Sequence, residues 1–329
     1  MPGIRRYRQG KTFRYKHDDG RPVSASERER IDSLAIPPAY IDVWICADAA
    51  GHLQATGRDA RGRKQYRYHP EWRSRRDHGK FNRVLEFGQA LPALRRRLRA
   101  DLARPGMPCE KVLATVVSIL GSSLERIGNE VYRRDNGSYG VTTLRNRHVK
   151  STQGGLELQF QGKGGIARRI RIDDARVARL VRRCRALPGQ QLFEYLDDQG
   201  EAQRIDSGRV NGYLSESMGE GFTAKDIRTW GATKAAIWLL APKDPTAYTT
   251  EAERAGIERQ VICDVAAMLG NTAAVCRASY VDPAVFPAWR SGRMHSHLPS
   301  LQRMGGTKWE KIALKVLGAE RRSRPPPRD

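Results

Sequence analysis

The sequence predicts an α+β protein in two parts: a small amino-terminal antiparallel β-sheet domain, residues 1–80, and a larger, mainly α-helical domain, residues 81–318, carrying a three-stranded sheet. Three observations lead there. Short β-prone runs separated by turn residues crowd the first eighty positions, and apolar residues at helical spacing dominate beyond Asp77. One island of alternating, glycine-punctuated segments interrupts the helices between Gly140 and Ile172. A chain of 329 residues is long enough to bury a core in each part.

In order, IRRYRQGKTFRY supplies the first β-prone segment. From Pro22 to Pro38, PVSASERERIDSLAIPP reads as a short helix, with Ser26 and Glu29 spaced as a capping box and two prolines closing it. Tyr40 to Cys46, His52 to Arg58 and Lys64 to His69 are strands of a meander, parted by AAG and DARG turns. Pro92, in QALPALRRRLRADL, fits the first turn of a new helix. Lys111 to Arg133 reads as one longer helix, because Val112, Leu113, Val116, Val117, Leu120, Leu124 and Ile127 keep the helical period. VTTLRNRHV, GGLELQFQG and GIARRIRI make the three strands, and everything after Asp173 is expected to be helical. Residues 319–329 form a polar, proline-rich tail expected to be disordered.

Composition narrows the function. Lys and Arg total 59 against 36 Asp and Glu, a formal charge of +23 with a pI near 10.3. Such an excess favours a polyanion, and the preponderance of Arg, whose planar fork matches phosphate oxygens, points to nucleic acid. No stretch approaches the ~20 apolar residues of a membrane span, and MPGIRRYRQGKTFRYKHDDG lacks the apolar core of a secretory signal. A cytoplasmic protein is the expectation. The five cysteines never fall as C-x-x-C, so neither a disulfide framework nor a zinc ribbon is indicated. There is no P-loop and no G-x-G-x-x-G after a strand, which argues against a bound nucleotide. Asp18 with Asp19 and Asp197 with Asp198 sit in Gly-containing turns, and MHSHL offers two imidazoles without a third ligand nearby, so neither metal nor cofactor is expected.

Phosphoryl transfer without a metal needs cationic donors for the non-bridging oxygens, an acid for the leaving oxygen, and a nucleophile. Four segments supply them: LERIGNEVY with Arg126, QFQGKGG with Lys163, AKDIRTWGAT with Arg228, and MLGNTAAVCRASY with Asn271 and Tyr280. Taken singly, each has an ordinary explanation. Arg126 can be a helix-surface charge, Lys163 a hairpin-tip solubiliser, Arg228 an ion-pair partner, Asn271 a helix cap after Gly270, and Tyr280 a half-buried aromatic.

Taken together and in this order, the segments resemble the type IB DNA topoisomerases, above all their compact poxvirus-like and bacterial branch. The resemblance runs from the sheet domain through Tyr280. It implies the catalytic fold shared with tyrosine recombinases and an activity that relaxes supercoiled duplex DNA. One strand is cut through a 3′-phosphotyrosyl intermediate and resealed, without ATP or metal. By that resemblance Arg126, Arg228 and Asn271 hold the scissile phosphate, Lys163 protonates the departing 5′ oxygen, and Tyr280 attacks phosphorus. A phenol ionises only near pH ~10, so two neighbouring guanidinium groups ease the reaction. Many relatives have histidine where this chain has Asn271, whose amide can donate to a phosphate oxygen but adds no charge. Asn271 precedes the tyrosine by nine residues, as in the family pattern.

The segment ATGRDARGRKQYRYH resembles a family strand that docks in the major groove. The resemblance implies that Gln65, Tyr66 and Tyr68 meet base edges or nearby phosphates while Arg58, Arg63, Lys64 and Arg67 supply charge. Alternation puts Tyr66 and Tyr68 on one face; the lesser alternative is an aromatic pair in the sheet's own core. Tyr132 resembles a further DNA-contacting tyrosine. The expected partner is duplex DNA, held by a monomer acting as a two-lobed clamp. A tyrosine recombinase is the rival enzyme, although its usual H-x-L-R is replaced here by Lys225-Asp226-Ile227-Arg228. A non-catalytic DNA-binding protein is the rival from another class.

Overall fold

The structure is a computed structural model of the chain. It describes residues 2–10, 12–60, 62, 64–153, 155–298 and 307–322, with the backbone alone for 73–80 and 82. The chain divides into two compact units, Met1–Lys80 and Phe81–Asp329. The fold is the α+β architecture that the sequence predicts, a small antiparallel sheet followed by a mainly helical part with its own three-stranded sheet.

In the first unit, strands β1 (Gly3–Gln9), β2 (Thr12–His17), β3 (Ile41–Cys46), β4 (Leu53–Arg58) and β5 (Lys64–Tyr68) form one antiparallel sheet in the order β2-β1-β3-β4-β5. One face buries Ile4, Tyr15, Val43, Ile45 and Ala55 against Ile31 of helix α1 (Ala25–Ser33). The capping box of α1 lies two residues earlier than the sequence suggests. Ser24 accepts from the Glu27 N–H, and the Glu27 carboxylate accepts from the Ser24 N–H at 2.8 Å. Both Ser-x-x-Glu pairs satisfy the spacing; Glu27 also meets His17 Nε2 at 3.1 Å, a tie to β2 that Glu29, exposed to solvent, does not have.

Helix α2 runs from Pro70 to Ala103 with Pro92 inside it, so the expected helix start at Pro92 is corrected. An interior proline removes one hydrogen bond and crowds the preceding turn, at about 3 kcal/mol. Burial of Val84, Phe87, Leu94 and Leu102, each contributing about 1.5–3 kcal/mol, outweighs that penalty.

The predicted helix over Lys111–Arg133 is two helices, α3 (Cys109–Ser123) and α4 (Glu130–Asn136), separated by an irregular stretch. Helical periodicity holds through Leu120 and then ends at Leu124, whose φ of 54° is left-handed. Tertiary packing imposes this conformation: a Cβ on Gly231 would stand 2.2 Å from Leu124 Cδ2, so Leu124 fills the space that the glycine leaves.

The island sheet has the order β6-β7-β8, with β6 (Val149–Thr152), β7 (Gly155–Gln161) and β8 (Ala167–Ile172) antiparallel. Its first strand is shorter than VTTLRNRHV suggests. Residues 141–148 instead form two 3-10 turns, because the N–H groups of Val141 and Thr142 go to the carbonyls of Arg126 and Ile127.

After helix α5 (Ala175–Arg185) comes a hairpin of β9 (Glu194–Leu196) and β10 (Ala202–Arg204), a departure from the all-helical expectation. The LDDQG turn closes it, with the Asp197 N–H donating to Glu201 O at 3.0 Å.

Helices α6 (Ser207–Met218), α7 (Ala224–Leu240), α8 (Glu251–Leu269), α9 (Ala273–Ser279), α10 (Val285–Arg290) and α11 (Thr307–Arg322) complete the unit. They bury Leu214, Ile237, Val265, Cys276, Trp289 and Leu317 with Leu120 of α3 in one core. Helix α11 passes Gly318 and continues to Arg322, so the expected tail does not begin at residue 319. Buried Glu320, paired with Arg293 at 2.7 Å, holds its last turn; residues 323–329 lie outside the described residues. Among the described residues, no single helix is long and apolar enough to cross a membrane.

Candidate active site

Arg126 stands on the irregular stretch between α3 and α4, not on a helix surface. The stretch is held from behind. Val141 and Thr142 donate backbone N–H groups to Arg126 O and Ile127 O at 2.9 and 2.7 Å, and Thr142 Oγ1 donates to Ile127 O at 2.9 Å. This contact requires two glycines. Gly128 has φ +98°, and a Cβ on Gly140 would lie 2.4 Å from Gly128 Cα and N and 2.7 Å from Arg126 O. Asn129 caps α4 by accepting from the N–H groups of Val131 and Tyr132.

Arg228 rises from α7, whose start is set by a Thr223–Asp226 capping box, and is only 3% exposed. Its guanidinium donates to Leu124 O and, at 3.0 Å, to Leu269 O, so it ties the end of α3 to the end of α8. The cap of α8 is Gly270 (φ 61°), which frees Asn271 from that role. Asn271 Oδ1 accepts from Arg126 Nη2, which also donates to Gly270 O at 3.2 Å. Acceptance at Oδ1 settles the amide's orientation and leaves Nδ2 as a donor with no partner among the described residues. Arg228 Nε is a second buried donor without one. Native proteins seldom leave such donors unpaired, because each costs on the order of 1–3 kcal/mol.

Tyr280 follows α9, a short helix capped by Thr272, and is half-buried. Thr233 Oγ1 donates to Tyr280 O at 3.3 Å and accepts from the Asp282 N–H at 3.0 Å, so α7 fixes the backbone on both sides of the tyrosine. Arg228 Cζ lies 5.2 Å from the Tyr280 ring centroid. Lys163 is exposed at the tip of the β7–β8 hairpin, in a turn where Gly164 and Gly165 have φ of 78° and 75°. Its Nζ stands 5.6 Å from the ring of Tyr132, itself 52% exposed.

Arg126, Lys163, Arg228, Tyr280 and Tyr132 line one cleft of about 310 Å³. Asn271 reaches it through Arg126. The electrostatics are unbalanced toward an anion. Burial lowers the Arg228 pKa and the Arg126 charge lowers it further, while Tyr280 and the buried carboxylate of Glu125 act the other way. A bound oxyanion would relieve the repulsion between the two guanidinium groups. Sequence reasoning gave no role to Gly140, Tyr139 or Lys225, which also line the cleft, nor to Glu125 and Arg168 beside it. Only for Arg168 was a signal present: in ARRIRI it shares strand parity with buried Ile170 and Ile172.

In the first unit, Tyr66 and Tyr68 do share a face, their rings stacked 6.2 Å apart, with Tyr68 also stacked on Trp72 at 4.8 Å. They lie outside that unit's buried core, and Tyr66 is 47% exposed. Gln65 alternates to the opposite face and donates to Asp59 at 2.9 Å, so the three residues expected to meet bases do not share a surface. Arg67 donates to Ala35 O at 3.1 Å, and Arg58 is occupied by Gly62 O at 2.9 Å and Asp42 at 3.7 Å. Lys64 is exposed beside Tyr66, and Arg63 lies outside the described residues. Among the described residues, no three His, Cys, Asp or Glu side chains gather as a metal site.

Comparison with known proteins gives three matches. The family model described as "Eukaryotic DNA topoisomerase I, catalytic core" matches residues 69–285. A second, "Bacterial DNA topoisomerase IB, N-terminal domain", matches residues 12–59. A DNA topoisomerase 1B of Acanthamoeba polyphaga mimivirus is 34% identical over 289 residues, covering 85% of each chain.

Proposed function

The chain belongs to the type IB DNA topoisomerases, and from that premise we propose that Tyr280, Arg126, Arg228, Asn271 and Lys163 carry its reaction. The enzyme is an isomerase of DNA topology: it relaxes supercoiled duplex by cutting one strand through a tyrosine ester and resealing it.

In this reading the Tyr280 phenol gives its proton to water while its oxygen bonds phosphorus. The bond from phosphorus to the 5′ oxygen breaks, and the Lys163 ammonium gives that oxygen a proton. Arg126, Arg228 Nε and Asn271 Nδ2 hold the non-bridging oxygens as charge builds on them. The phosphotyrosine keeps the energy of the broken bond, so the 5′ hydroxyl can return along the same path once the duplex has turned. Three cationic side chains supply the charge that a metal would otherwise bring.

The buried Arg228, its guanidinium 5.2 Å from the Tyr280 ring and in one cleft with Arg126 and Lys163, carries the assignment. We further infer a cytoplasmic monomer that needs no nucleotide, with Tyr132 of the second unit and Tyr66, Tyr68 and Lys64 of the first contacting the same duplex. The family match favours this reading over a recombinase.

Supercoiled plasmid in EDTA without ATP is the test. Wild type yields a ladder of relaxed topoisomers; Tyr280→Phe binds the plasmid and leaves it supercoiled. Relaxation by Tyr280→Phe, or recombined products from wild type, would sink the proposal.

A further inference from the structure

Arg168 occupies a position that needs a reason. Strand alternation puts it on the face of β8 that also carries Ile170 and Ile172, opposite Phe160 of β7, where a charge must find a partner. It finds several. Its guanidinium pairs with the carboxylate of Glu125, 3% exposed, and donates to Met268 O at 3.0 Å. Glu125 in turn accepts from the backbone N–H of Arg126 at 3.3 Å. Gly270 sits close enough that a Cβ there would meet Arg168 Nη1 at 2.8 Å, and a Cβ on Gly162 would meet Arg168 Cγ at 2.9 Å.

One side chain therefore touches the stretch bearing Arg126, the turn bearing Asn271, and the base of the turn bearing Lys163. That last turn, closed by the Gly162 N–H to Ile166 O at 2.8 Å and the Gly165 N–H to Gly162 O at 3.1 Å, has two left-handed glycines and carries the lysine exposed at its tip.

We propose that Arg168, braced by Glu125, is a positioning residue that holds the Lys163 turn in register with the arginine and asparagine wall, so that the acid meets the departing 5′ oxygen. The inference rests on Lys163 being that acid. Loss of the brace thus weakens the step that needs a proton more than it weakens DNA binding.

The leaving atom distinguishes these effects. A duplex with sulfur in place of the bridging 5′ oxygen releases a thiolate, whose conjugate acid has a pKa near ~8.5, and needs no proton donor. In single-turnover cleavage, Arg168→Gln on the ordinary duplex should be slower than wild type by up to about 10²-fold, the scale of a misplaced catalytic group. On the sulfur duplex most of that deficit should vanish, with duplex affinity unchanged on both. Combining it with Glu125→Gln should add little.

Lys163→Ala is the control for the premise. If sulfur fails to rescue Lys163→Ala, the acid assignment falls. If sulfur rescues Lys163→Ala but not Arg168→Gln, or if the two brace variants multiply, the positioning role falls. Should Arg168→Gln not fold by thermal melt, Arg168→Lys, which keeps the charge but not the double contact, is judged by the same two substrates.

Discussion

Asn271→Asp isolates what the asparagine contributes. The exchange is isosteric and keeps an oxygen toward Arg126, so the fold and the Arg126 position should survive. It removes the Nδ2 donor and puts a carboxylate beside the phosphate. Losing one donor to a developing oxyanion costs about 2.7–4 kcal/mol. Two negative charges about 4 Å apart at an effective dielectric of about 20 add about 4 kcal/mol. At 1.36 kcal/mol per tenfold, Asn271→Asp should slow covalent adduct formation by on the order of 10⁵, against about 10²–10³ for Asn271→Ala. The assay is single-turnover trapping of end-labelled duplex on the protein, resolved on a denaturing gel, with a melting curve for each variant. If Asn271→Asp reacts as fast as Asn271→Ala, its side chain does not see the phosphate and the argument from the unpaired amide is wrong.

Three other predictions test other links. Gly140→Ala must push apart backbone atoms only 2.4 Å from the new Cβ, which should cost about 1–3 kcal/mol of stability and lower cleavage more than the melting shift explains; normal cleavage would show that the Arg126 stretch does not depend on this contact. Burial lowers the His148 pKa from 6.5 to about 4, and its Nδ1 accepts from the Arg145 N–H at 2.9 Å. A depressed histidine leaves the unfolded chain binding the extra proton, so stability is full above pH 6.5 and falls by about 3 kcal/mol toward pH 4; His148→Gln should flatten that part of the curve in urea titrations, and an unchanged slope would contradict it. Lys64→Ala should reduce the slope of log affinity against log salt by about 1 while leaving cleavage at low salt intact; an unchanged slope removes Lys64 from the DNA surface.

The architecture was legible because its signals are local. Alternation over β3 to β5, glycine punctuation around β6 to β8 and the helical period of α3 all reflect which face of an element is buried. What was hidden depended on partners distant in sequence. The end of α3 at Leu124 answers to Gly231, the helix through Pro92 to a buried face, and the start of α1 to His17. The site divides in the same way. Arg126, Lys163, Arg228, Asn271 and Tyr280 stand in motifs a reader can quote, whereas the brace of Glu125 and Arg168 and the Gly128–Gly140 contact join segments that no motif spans. Gln65 shows a related limit: adjacent residues of a strand point to opposite faces, so a run of polar side chains is not one surface.

The most direct measurement is the identity of the residue that carries DNA. Wild type trapped on a duplex whose cleaved end cannot religate, then digested and read by mass spectrometry, should show a single modified peptide. The nucleotide should be on Tyr280, joined through a 3′ phosphate. Attachment to Tyr132 or Tyr139, which line the same cleft, or through a 5′ phosphate, would contradict it.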